Sequence, residues 1–397
     1  MTEARRPRLA LIGAGTRFLS GPSYHTRDLA GALAGPFDVL LITMRRLLPT
    51  RLYPGHTRVG AKLMLDGYDA RVRVVDGVDW YWLPSMLRAV GSLVRHRPDL
   101  VIFEWWTGAV LHSYLLLALV ARAMRAQVVI EIHEVLDPGE ARIGWVDRYV
   151  RTFSPLFMRL AQAFIAHSST DVAMLRRSLH LHDRPVHVIP MGPPGGVISS
   201  EASVAWREAP PEACNILSFG LIRPYKGVEQ LVRAFGALED GEVGDYWLTI
   251  AGETWEGWDL PAQEITASPH RDLITTIGHY IDDRDVAALF RGADGAVLAY
   301  SRSLGSAALH LCLAHGLPVV ITGIPALREA VADYEGVRVV PVGDVPALTE
   351  ALRWLRTQKG RRFPDPHSWE RVVQRYLSLS RDLGDDRSPD REAAPRA

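Results

Sequence analysis

The chain contains 397 residues, of which 48% are hydrophobic and 23% charged, and its formal net charge is +0. This length predicts two domains, each large enough for its own core, with the ordinary composition of a globular protein. The neutral charge gives no indication of nucleic-acid binding, so we expect no nucleic-acid partner. The two cysteines, Cys214 and Cys312, show no metal-type spacing, which is consistent with a reducing cytoplasm.

Neither a signal peptide nor a membrane-spanning helix is predicted. The N-terminal segment carries basic residues without a long apolar run. Residues 109–121 are apolar, but this run falls short of the ~20 residues that span a bilayer, so we interpret it as a core helix.

Apolar strands alternate with helices along the chain, a pattern typical of parallel sheets covered on both faces. Seven strands are predicted before a linker rich in Gly, Pro and Ser, near Leu9–Gly13, Val39–Thr43, Val72–Val75, Leu100–Phe103, Val128–Ile132, Phe164–Ala166 and His187–Ile189. Six follow it, near Ile216–Phe219, Trp247–Ala251, Leu273–Ile277, Ala296–Ala299, Pro318–Ile321 and Arg338–Pro341. The linker places a domain boundary near Gly195.

The turn after the first strand holds Gly13 and Gly15, as in a dinucleotide-binding motif. Phe18 stands where that motif has its third glycine, and no acidic residue ends the second strand. NAD binding is therefore disfavoured, and the residues by themselves predict only a tight turn.

A basic amphipathic helix is predicted after Trp80–Pro84. One side carries Met86, Leu87, Val90, Leu93 and Val94, while the basic residues Arg88, Arg95, His96 and Arg97 lie mostly elsewhere. Such a helix usually packs on a sheet, and peripheral contact with the inner face of the membrane is the alternative.

Two polar residues lie at the ends of neighbouring predicted strands. His133 directly follows the strand VVIEI, and Glu104 ends the strand before it, in FEWW. Open α/β sheets bind ligands at the carboxyl ends of their strands. His133 is a candidate site residue, with a core histidine capping its own loop as the alternative. Glu104 either hydrogen-bonds an acceptor hydroxyl or lies at the rim.

The segment from Cys214 to Phe235 predicts a strand, a tight turn opening at Gly220 and an amphipathic helix. The turn contains two cations, Arg223 and Lys226, followed by Gly227. A strand-to-helix turn presents unpaired backbone N–H groups and the positive end of the helix dipole, so it suits an anionic ligand such as a diphosphate. A solvated surface loop is the alternative.

The residues GLIRPYKG followed by an apolar helix resemble the donor-phosphate motif of bacterial family 4 retaining glycosyltransferases, and the resemblance extends from about Leu9 to about Leu379. It implies the α/β GT-B fold, with two Rossmann-like domains facing across a cleft and a C-terminal helix crossing back to the first domain. We expect an acceptor-binding domain at 1–195 and a nucleotide-sugar-binding domain at 196–366. The crossing helix is expected at 367–382 and a disordered tail at 383–397.

The resemblance also implies roles for individual residues. His133 matches a histidine that contacts the donor sugar, and with Arg223 and Lys226 it forms the expected catalytic set. The other expected donor-binding residues are Gly220, Gly227, Gly252, Glu253, Tyr280, Ile281, Ser303, Gly305, Ser306 and Ala307. The residues expected on the acceptor side are Ser20, Gly21, Pro22 and Ser23, which resemble a glycine-rich loop, together with Glu104 and Glu134.

The sequence departs from the family pattern at two glutamate positions before Gly316. Alignment on Gly316–Val320 places Ser303 and Leu311 there, so the usual contacts to the donor sugar and to the ribose are in doubt. Ser303, Gly305 and Ser306 still lie at a predicted helix N-terminus that suits phosphate. A capped core helix is the alternative. Leu221 also replaces a common arginine, and Arg223 could reach the same phosphate.

The expected activity is therefore transfer of a sugar, with retention, from a nucleotide-diphosphate sugar to a hydroxyl acceptor. No cofactor and no metal are expected, with UDP or GDP as the nucleotide of the co-substrate. The acceptor is a lipid-linked, glycan or natural-product hydroxyl, and the location is cytoplasmic, with the inner membrane as a peripheral alternative. A catalytically weakened homologue acting as a nucleotide-binding or scaffold protein is the competing hypothesis. An epimerase or phosphorylase is a weaker third.

Overall fold

The computed structural model describes residues 6–15, 21–45, 67–79, 83–133, 144–170, 172–179, 181, 184–194, 209–254, 257–279, 281, 283–303 and 305–385. Its contacts divide the chain into two compact units. Unit 1 comprises Met1–Gly192 with Ser368–Ala397, and unit 2 comprises Pro193–His367. The division falls between Gly192 and Pro193, inside the segment rich in Gly and Pro.

Unit 1 is built on a sheet of seven parallel strands in the order β3-β2-β1-β4-β5-β6-β7. The strands are β1 Arg8–Ala14, β2 Asp38–Met44, β3 Arg73–Val78, β4 Leu100–Trp105, β5 Gln127–Ile132, β6 Ala163–Ala166 and β7 Val186–Val188. Its helices are α1 Gly21–Leu33, α2 Leu83–His96, α3 Leu111–Ala123, α4 Gly144–Leu160, α5 Val172–Leu179 and a last helix, Trp369–Asp385.

Unit 2 contains a second parallel sheet of six strands in the order β10-β9-β8-β11-β12-β13. The strands are β8 Cys214–Phe219, β9 Tyr246–Ala251, β10 Ile274–Ile277, β11 Gly295–Leu298, β12 Val319–Thr322 and β13 Val337–Val340. Its helices are α6 Val228–Gly236, α7 Leu260–Ala267, α8 Asp283–Gly292, α9 Ala307–Ala314, α10 Pro325–Ala330 and α11 Val345–Thr357. Helix Trp369–Asp385, which belongs to unit 1, is the last of the chain and is called α12.

The central strands are buried along their whole length and mostly apolar because helices cover both faces of each sheet. Every residue of β4, β5 and β9 is buried. Each strand predicted from the sequence is present, and its bounds differ by only a few residues. The α/β class with parallel sheets is confirmed.

Helix α12 packs on unit 1 and continues beyond the expected end at residue 382. Val372, Tyr376, Leu379 and Leu383 form its buried stripe at helical spacing, within the core of this unit. The Leu383 carbonyl accepts a hydrogen bond of 2.8 Å from Gln127 Nε2. Residues 383–385 are thus helical and not part of a disordered tail; the rest of the predicted tail lies outside the described residues.

Two further expectations are corrected in unit 1. Gly21, Pro22 and Ser23 form the first turn of α1 and not a loop, because proline is well suited to the start of a helix. On α2, His96 is buried: its Nε2 contacts the Leu9 carbonyl at 3.1 Å. Leu87, expected on the packed side, is exposed. None of the described helices is both long enough and apolar enough to cross a membrane.

Candidate functional site

In unit 2 the predicted phosphate turn lies at the point where the strand order reverses. Strands β8 and β11 are neighbours, and the chain continues from β8 to β9 on one side and from β11 to β12 on the other. Ligands of open α/β sheets bind at such a switch point, beyond the carboxyl ends of the strands. The turn 220–227 follows β8 and the segment 299–306 follows β11, so both segments lie at the switch point.

Two glycines allow backbone segments to approach closely here. Gly227 has φ 64°, and a Cβ atom on it would lie 2.1 Å from the carbonyl oxygen of Ala299. Gly252 has φ 152°, and its Cβ would lie 2.0 Å from the carbonyl oxygen of Gly220. Any larger residue at either position would push the strand ends apart, since the obstacle is backbone and not a flexible side chain.

Lys226 is held against the segment that follows β11. Its Nζ donates a hydrogen bond of 2.6 Å to the hydroxyl of Tyr300. The Tyr300 hydroxyl lies 3.2 Å from Ser306 Oγ, and Ser301 N donates to the Tyr225 carbonyl at 2.8 Å. Burial raises the pKa of Tyr300, so its hydroxyl stays protonated. The hydroxyl can therefore accept from Lys226 and donate to Ser306 at once.

Ser306 is the N-cap of α9. Its φ of −144° is extended, and its Oγ accepts a hydrogen bond of 3.2 Å from Leu309 N. The first helical residue is Ala307. The Lys226 ammonium, the Tyr300 hydroxyl and a helix N-terminus thus come together, an arrangement suited to an anion.

The two positions without glutamates are accounted for by local contacts. Ser303 Oγ donates to the Gly305 carbonyl at 2.6 Å, closing its own turn. Leu311 is 9% exposed and belongs to the apolar core of the unit. No charged group replaces either glutamate at its own position.

Two of the remaining residues expected to bind the donor, Arg223 and Glu253, lie in or beside the turn 220–227. Arg223 precedes the short 3-10 turn Pro224–Lys226 and is partly buried. The Glu253 carbonyl accepts from Ile222 N at 2.8 Å, which ties the end of β9 to the turn. Ile281 is 6% exposed and lies in the core, whereas Tyr280 lies outside the described residues.

In unit 1 four polar side chains form a compact cluster, which we call the histidine cluster: His25, Glu131, His133 and His167. Glu131 Oε1 lies 2.8 Å from His25 Nε2, 3.8 Å from His133 Nε2 and 3.6 Å from His167 Nε2. The other carboxylate oxygen, Oε2, accepts a hydrogen bond of 2.8 Å from the Tyr376 hydroxyl. Helix α12 therefore contributes to this cluster.

The charges of the cluster follow from burial and pairing. Burial would raise the pKa of Glu131, but the imidazoles, led by His25, hold it well below its usual value. Burial opposes the charged form of His25, yet its pairing with Glu131 raises its pKa. The pKa values of His133 and His167 are lowered, chiefly by burial. His25 and Glu131 therefore form an ion pair, whereas His133 and His167 are neutral imidazoles.

Glu104 is fully buried, which excludes the rim of a site as its position. Its Oε2 accepts a hydrogen bond from Thr26 Oγ1, and among the described residues its Oε1 has no hydrogen-bond partner. Burial raises the pKa of this carboxyl to about 8. A Cβ on Gly13 would lie 2.0 Å from Glu104 Oε2, so this glycine makes room for the carboxylate.

Of the other residues expected on the acceptor side, the structure describes Gly21, Pro22 and Ser23, which form the first turn of α1. Thr26 Oγ1 also contacts the Pro22 carbonyl, at 2.8 Å, inside α1. Ser23 is 1% exposed. Ser20 and Glu134 lie outside the described residues.

Sequence reasoning found His133 but missed its neighbours. His167 follows β6 as His133 follows β5, and these strands are adjacent in the sheet. Glu131 is an acidic residue inside an apolar strand, VVIEI, which is unusual for a fully buried position. The sequence therefore contained a signal for His167 and one for Glu131. The contacts of His25 and Tyr376 with Glu131 depend on helix packing, for which the sequence has no such signal.

Comparison with known proteins identifies the family. The sequence profile described as "Glycosyl transferase 4-like domain" matches residues 20–192, and the profile described as "Glycosyl transferases group 1" matches residues 213–358. The chain belongs to the family 4 glycosyltransferases. The family predicted from the sequence is confirmed, since one profile covers most of unit 1 and the other most of unit 2.

Two curated relatives of this glycosyltransferase are mycobacterial. D-inositol 3-phosphate glycosyltransferase of Mycobacteroides abscessus is 30% identical over 184 residues, which are 43% of this chain and 40% of that protein. Glycogen synthase of Mycobacterium tuberculosis is 35% identical over 144 residues, 35% of this chain and 33% of that protein. The matched region thus spans well under half of each relative.

Solved structures place this glycosyltransferase in the GT-B fold. Sucrose-phosphate synthase from Thermosynechococcus elongatus superposes with a TM-score of 0.63 at 18% identity, over 96% of this chain and 100% of that chain. The Anabaena protein HepE, in complex with UDP and glucose, has a TM-score of 0.59 at 14% identity, over 96% and 100%. At these identities the likeness shows the fold, and the predicted GT-B class is confirmed.

Proposed function

We propose that this protein transfers a sugar from a nucleotide-diphosphate sugar to a hydroxyl acceptor, with retention of anomeric configuration. The observation that carries the proposal is the hydrogen bond from Lys226 to the Tyr300 hydroxyl, which in turn contacts Ser306, at the switch point of unit 2. It puts an ammonium group beside a helix N-terminus where this class of sheet binds ligands. Family membership supports the same activity.

The proposed chemistry is electrostatic. Arg223, Lys226 and the N-terminus of α9 stabilise the negative charge that develops on the diphosphate as the bond to the sugar breaks. These groups supply the charge, so this step is proposed to need no metal. In retaining members of the family the leaving phosphate is thought to deprotonate the incoming hydroxyl, and we propose the same here.

UDP or GDP is the proposed nucleotide, and a lipid-linked, glycan or natural-product hydroxyl the proposed acceptor. Support for UDP comes from the HepE complex, which contains UDP and glucose. Of the curated relatives, one is named for glycosyl transfer involving D-inositol 3-phosphate and one for the synthesis of glycogen. His133 and Glu104 remain proposed ligand-side residues of unit 1.

A second candidate function is nucleotide binding without efficient catalysis, as in a scaffold protein. The observation favouring it is the apolar burial of Leu311, which removes the usual partner of the ribose. A lost charged hydrogen bond costs about 1.5–3 kcal/mol, or roughly ten- to a hundredfold in affinity. The enzyme hypothesis therefore expects weak nucleotide-diphosphate binding that depends mostly on the diphosphate.

Calorimetric titration with nucleoside diphosphates and with the matching nucleosides tests the donor site, and nucleotide release from labelled donors tests turnover. Diphosphate-dependent binding that disappears in Lys226→Ala, together with nucleotide release, supports the enzyme. Binding without release supports the scaffold. If uridine, guanosine, adenosine and thymidine diphosphates all fail to bind at millimolar concentration, both proposals for unit 2 are wrong.

Peripheral contact with the inner membrane face, from a cytoplasmic location, is proposed for helix α2. Leu83 and Leu87 are 66% and 61% exposed, and Arg88 and Arg95 are exposed near them. Exposed leucines flanked by arginines suit the interface of an anionic bilayer, where the apolar side chains insert and the cations bind headgroups.

A further inference from the structure

Two histidines of unit 1 follow neighbouring strands and contact each other through their rings. His133 follows β5 and His167 follows β6, and these two strands are paired. The ring centroids lie 4.7 Å apart, and His133 Nδ1 lies 3.2 Å from His167 Nε2. Burial lowers the pKa of both residues, so both imidazoles are neutral. A hydrogen bond between two neutral imidazoles requires that one nitrogen donates and the other accepts.

The Ile189 carbonyl determines which nitrogen of His167 carries the proton. His167 Nδ1 lies 3.0 Å from this oxygen, which can only accept a hydrogen bond. A neutral imidazole has a single N–H, so the proton of His167 is on Nδ1 and its Nε2 has a lone pair. In the contact between the two histidines, His167 Nε2 is therefore the acceptor.

The same contact determines the tautomer of His133. Its Nδ1 donates to His167 Nε2, so its single N–H is used there and its Nε2 is unprotonated. Glu131 Oε1 lies 3.8 Å from this Nε2, which is beyond hydrogen-bond distance. His133 thus presents a lone pair, and not an N–H group, at Nε2.

The carboxylate of Glu131 has its own partners and does not require a proton from His133. Glu131 Oε1 pairs with His25 Nε2 at 2.8 Å, and Oε2 accepts a hydrogen bond of 2.8 Å from the Tyr376 hydroxyl. These contacts hold the carboxylate from α1 and from α12. The tautomer of His133 is therefore determined by His167.

The lone pair on His133 Nε2 points to a ligand that donates a hydrogen bond. Among the described residues this nitrogen has no hydrogen-bond partner, although it is buried. A buried acceptor without a partner is destabilising. A hydroxyl group can satisfy it, whereas an ionised phosphate oxygen, which only accepts, cannot. His133 also follows the carboxyl end of a parallel strand, where sheets of this class bind ligands.

We propose that His167 is a positioning residue that holds His133 protonated at Nδ1, so that His133 Nε2 accepts a hydrogen bond from a hydroxyl of the donor sugar. The tautomer follows from contacts within unit 1 alone, whereas the contact with the sugar rests on the proposed glycosyl transfer. A donor whose sugar lacks this hydroxyl would leave the lone pair unsatisfied. His167 thereby contributes to donor specificity through His133.

The tautomer is tested by nitrogen NMR of the full chain labelled with ¹⁵N-histidine, with the His133 signals assigned from their absence in His133→Gln. We expect a protonated Nδ1 and an unprotonated Nε2. His167→Leu removes the acceptor, so the proton of His133 should move to Nε2, which faces Glu131. His167→Gln supplies an amide oxygen as acceptor and should keep the proton on Nδ1. His187→Gln is the matched control, since His187 lies in unit 1 outside the histidine cluster, and it should not change the signals.

The contact with the sugar is tested by calorimetric titration with UDP-glucose against UDP and with GDP-mannose against GDP. His167→Leu should weaken binding of the nucleotide sugar by about five- to a hundredfold, the effect of a buried hydrogen bond, and leave binding of the free diphosphate unchanged. His167→Gln should recover most of the lost affinity.

A wild-type spectrum with the proton of His133 on Nε2 overturns the proposal, and this measurement stands even if His167→Leu does not fold. Equal losses for the nucleotide sugar and for the free diphosphate, or equal losses in His167→Leu and His167→Gln, would show that His167 has only a structural role. If no nucleotide binds at all, the proposed function and the contact with the sugar are both wrong, while the spectra still decide the tautomer.

Discussion

Lys226 Nζ lies 2.6 Å from the hydroxyl oxygen of Tyr300, and this contact joins the two segments at the switch point of unit 2. Lys226 follows β8 and Tyr300 follows β11, which are adjacent strands. The ammonium is thereby held in place before any ligand binds, so less side-chain freedom is lost when a phosphate arrives. The pairing makes Lys226 the most directly testable residue of the proposed donor site.

Lys226→Ala should reduce nucleotide release from a donor sugar by about 30- to 1,000-fold, because a charge-assisted contact to the leaving diphosphate is worth about 2–4 kcal/mol in the transition state. Arg223→Ala should act in the same direction. The melting temperature should change little, since Lys226 is not part of the core. Turnover is measured at saturating donor.

Tyr300→Phe is the matched control for this prediction, because it keeps the ring and removes only the hydroxyl that holds Lys226. We expect a smaller loss than in Lys226→Ala, since the ammonium remains but is less restrained. Near-normal turnover in Lys226→Ala would disprove the phosphate assignment.

The rate of sugar transfer should not depend on added Mg²⁺ or Mn²⁺. The proposed site neutralises the diphosphate with cationic side chains and a helix N-terminus, so a divalent ion at the diphosphate is not required. The measurement is turnover across a titration of each ion, from none added to several millimolar. A rate that is negligible without Mg²⁺ and restored by it would contradict the charge assignment.

Glu104→Gln should stabilise the protein increasingly as the pH rises from about 5 to 8. The pKa of Glu104 is raised to about 8 in the fold, whereas an unfolded glutamate titrates near 4.3. Between these values the folded state holds a proton that the unfolded state lacks, so this residue lowers the free energy of unfolding as the pH rises. The slope is at most about 1.4 kcal/mol per pH unit.

Denaturant unfolding of both proteins in metal-free buffer at several pH values measures the difference. Glu239→Gln, at an exposed position, is the control and should show no such trend. A constant difference between Glu104→Gln and wild type across this range would mean that Glu104 is ionised in the fold.

The protein should co-sediment with vesicles containing anionic lipids and much less with purely zwitterionic vesicles. The exposed Leu87 on α2 would insert, and Arg88 and Arg95 would bind headgroups, at about 1 kcal/mol for each basic residue. Leu87→Ser should reduce the bound fraction, and raised salt should reduce it further. Leu119→Ser is the matched control, because Leu119 is an exposed leucine on α3. Equal sedimentation with and without vesicles would rule out this contact.

The sequence by itself determined the strands and the fold family. Buried parallel strands are nearly continuous apolar runs between turn residues, so segments such as Val128–Ile132 can be found without tertiary information. The turn from Gly220 to Gly227 is also local: its glycines, cations and following helix are contiguous in the chain. That contiguity is why the donor motif was recognisable.

Only the tertiary structure decided which distant side chains meet. His25, His167 and Tyr376 reach Glu131 from α1, the end of β6 and α12, and sequence separation carries no record of such packing. The space that Gly13 leaves for Glu104 is likewise a through-space relation. Local patterns follow from backbone periodicity and turn chemistry. The histidine cluster depends on how helices and strands pack, because its hydrogen bonds form only when those elements are side by side.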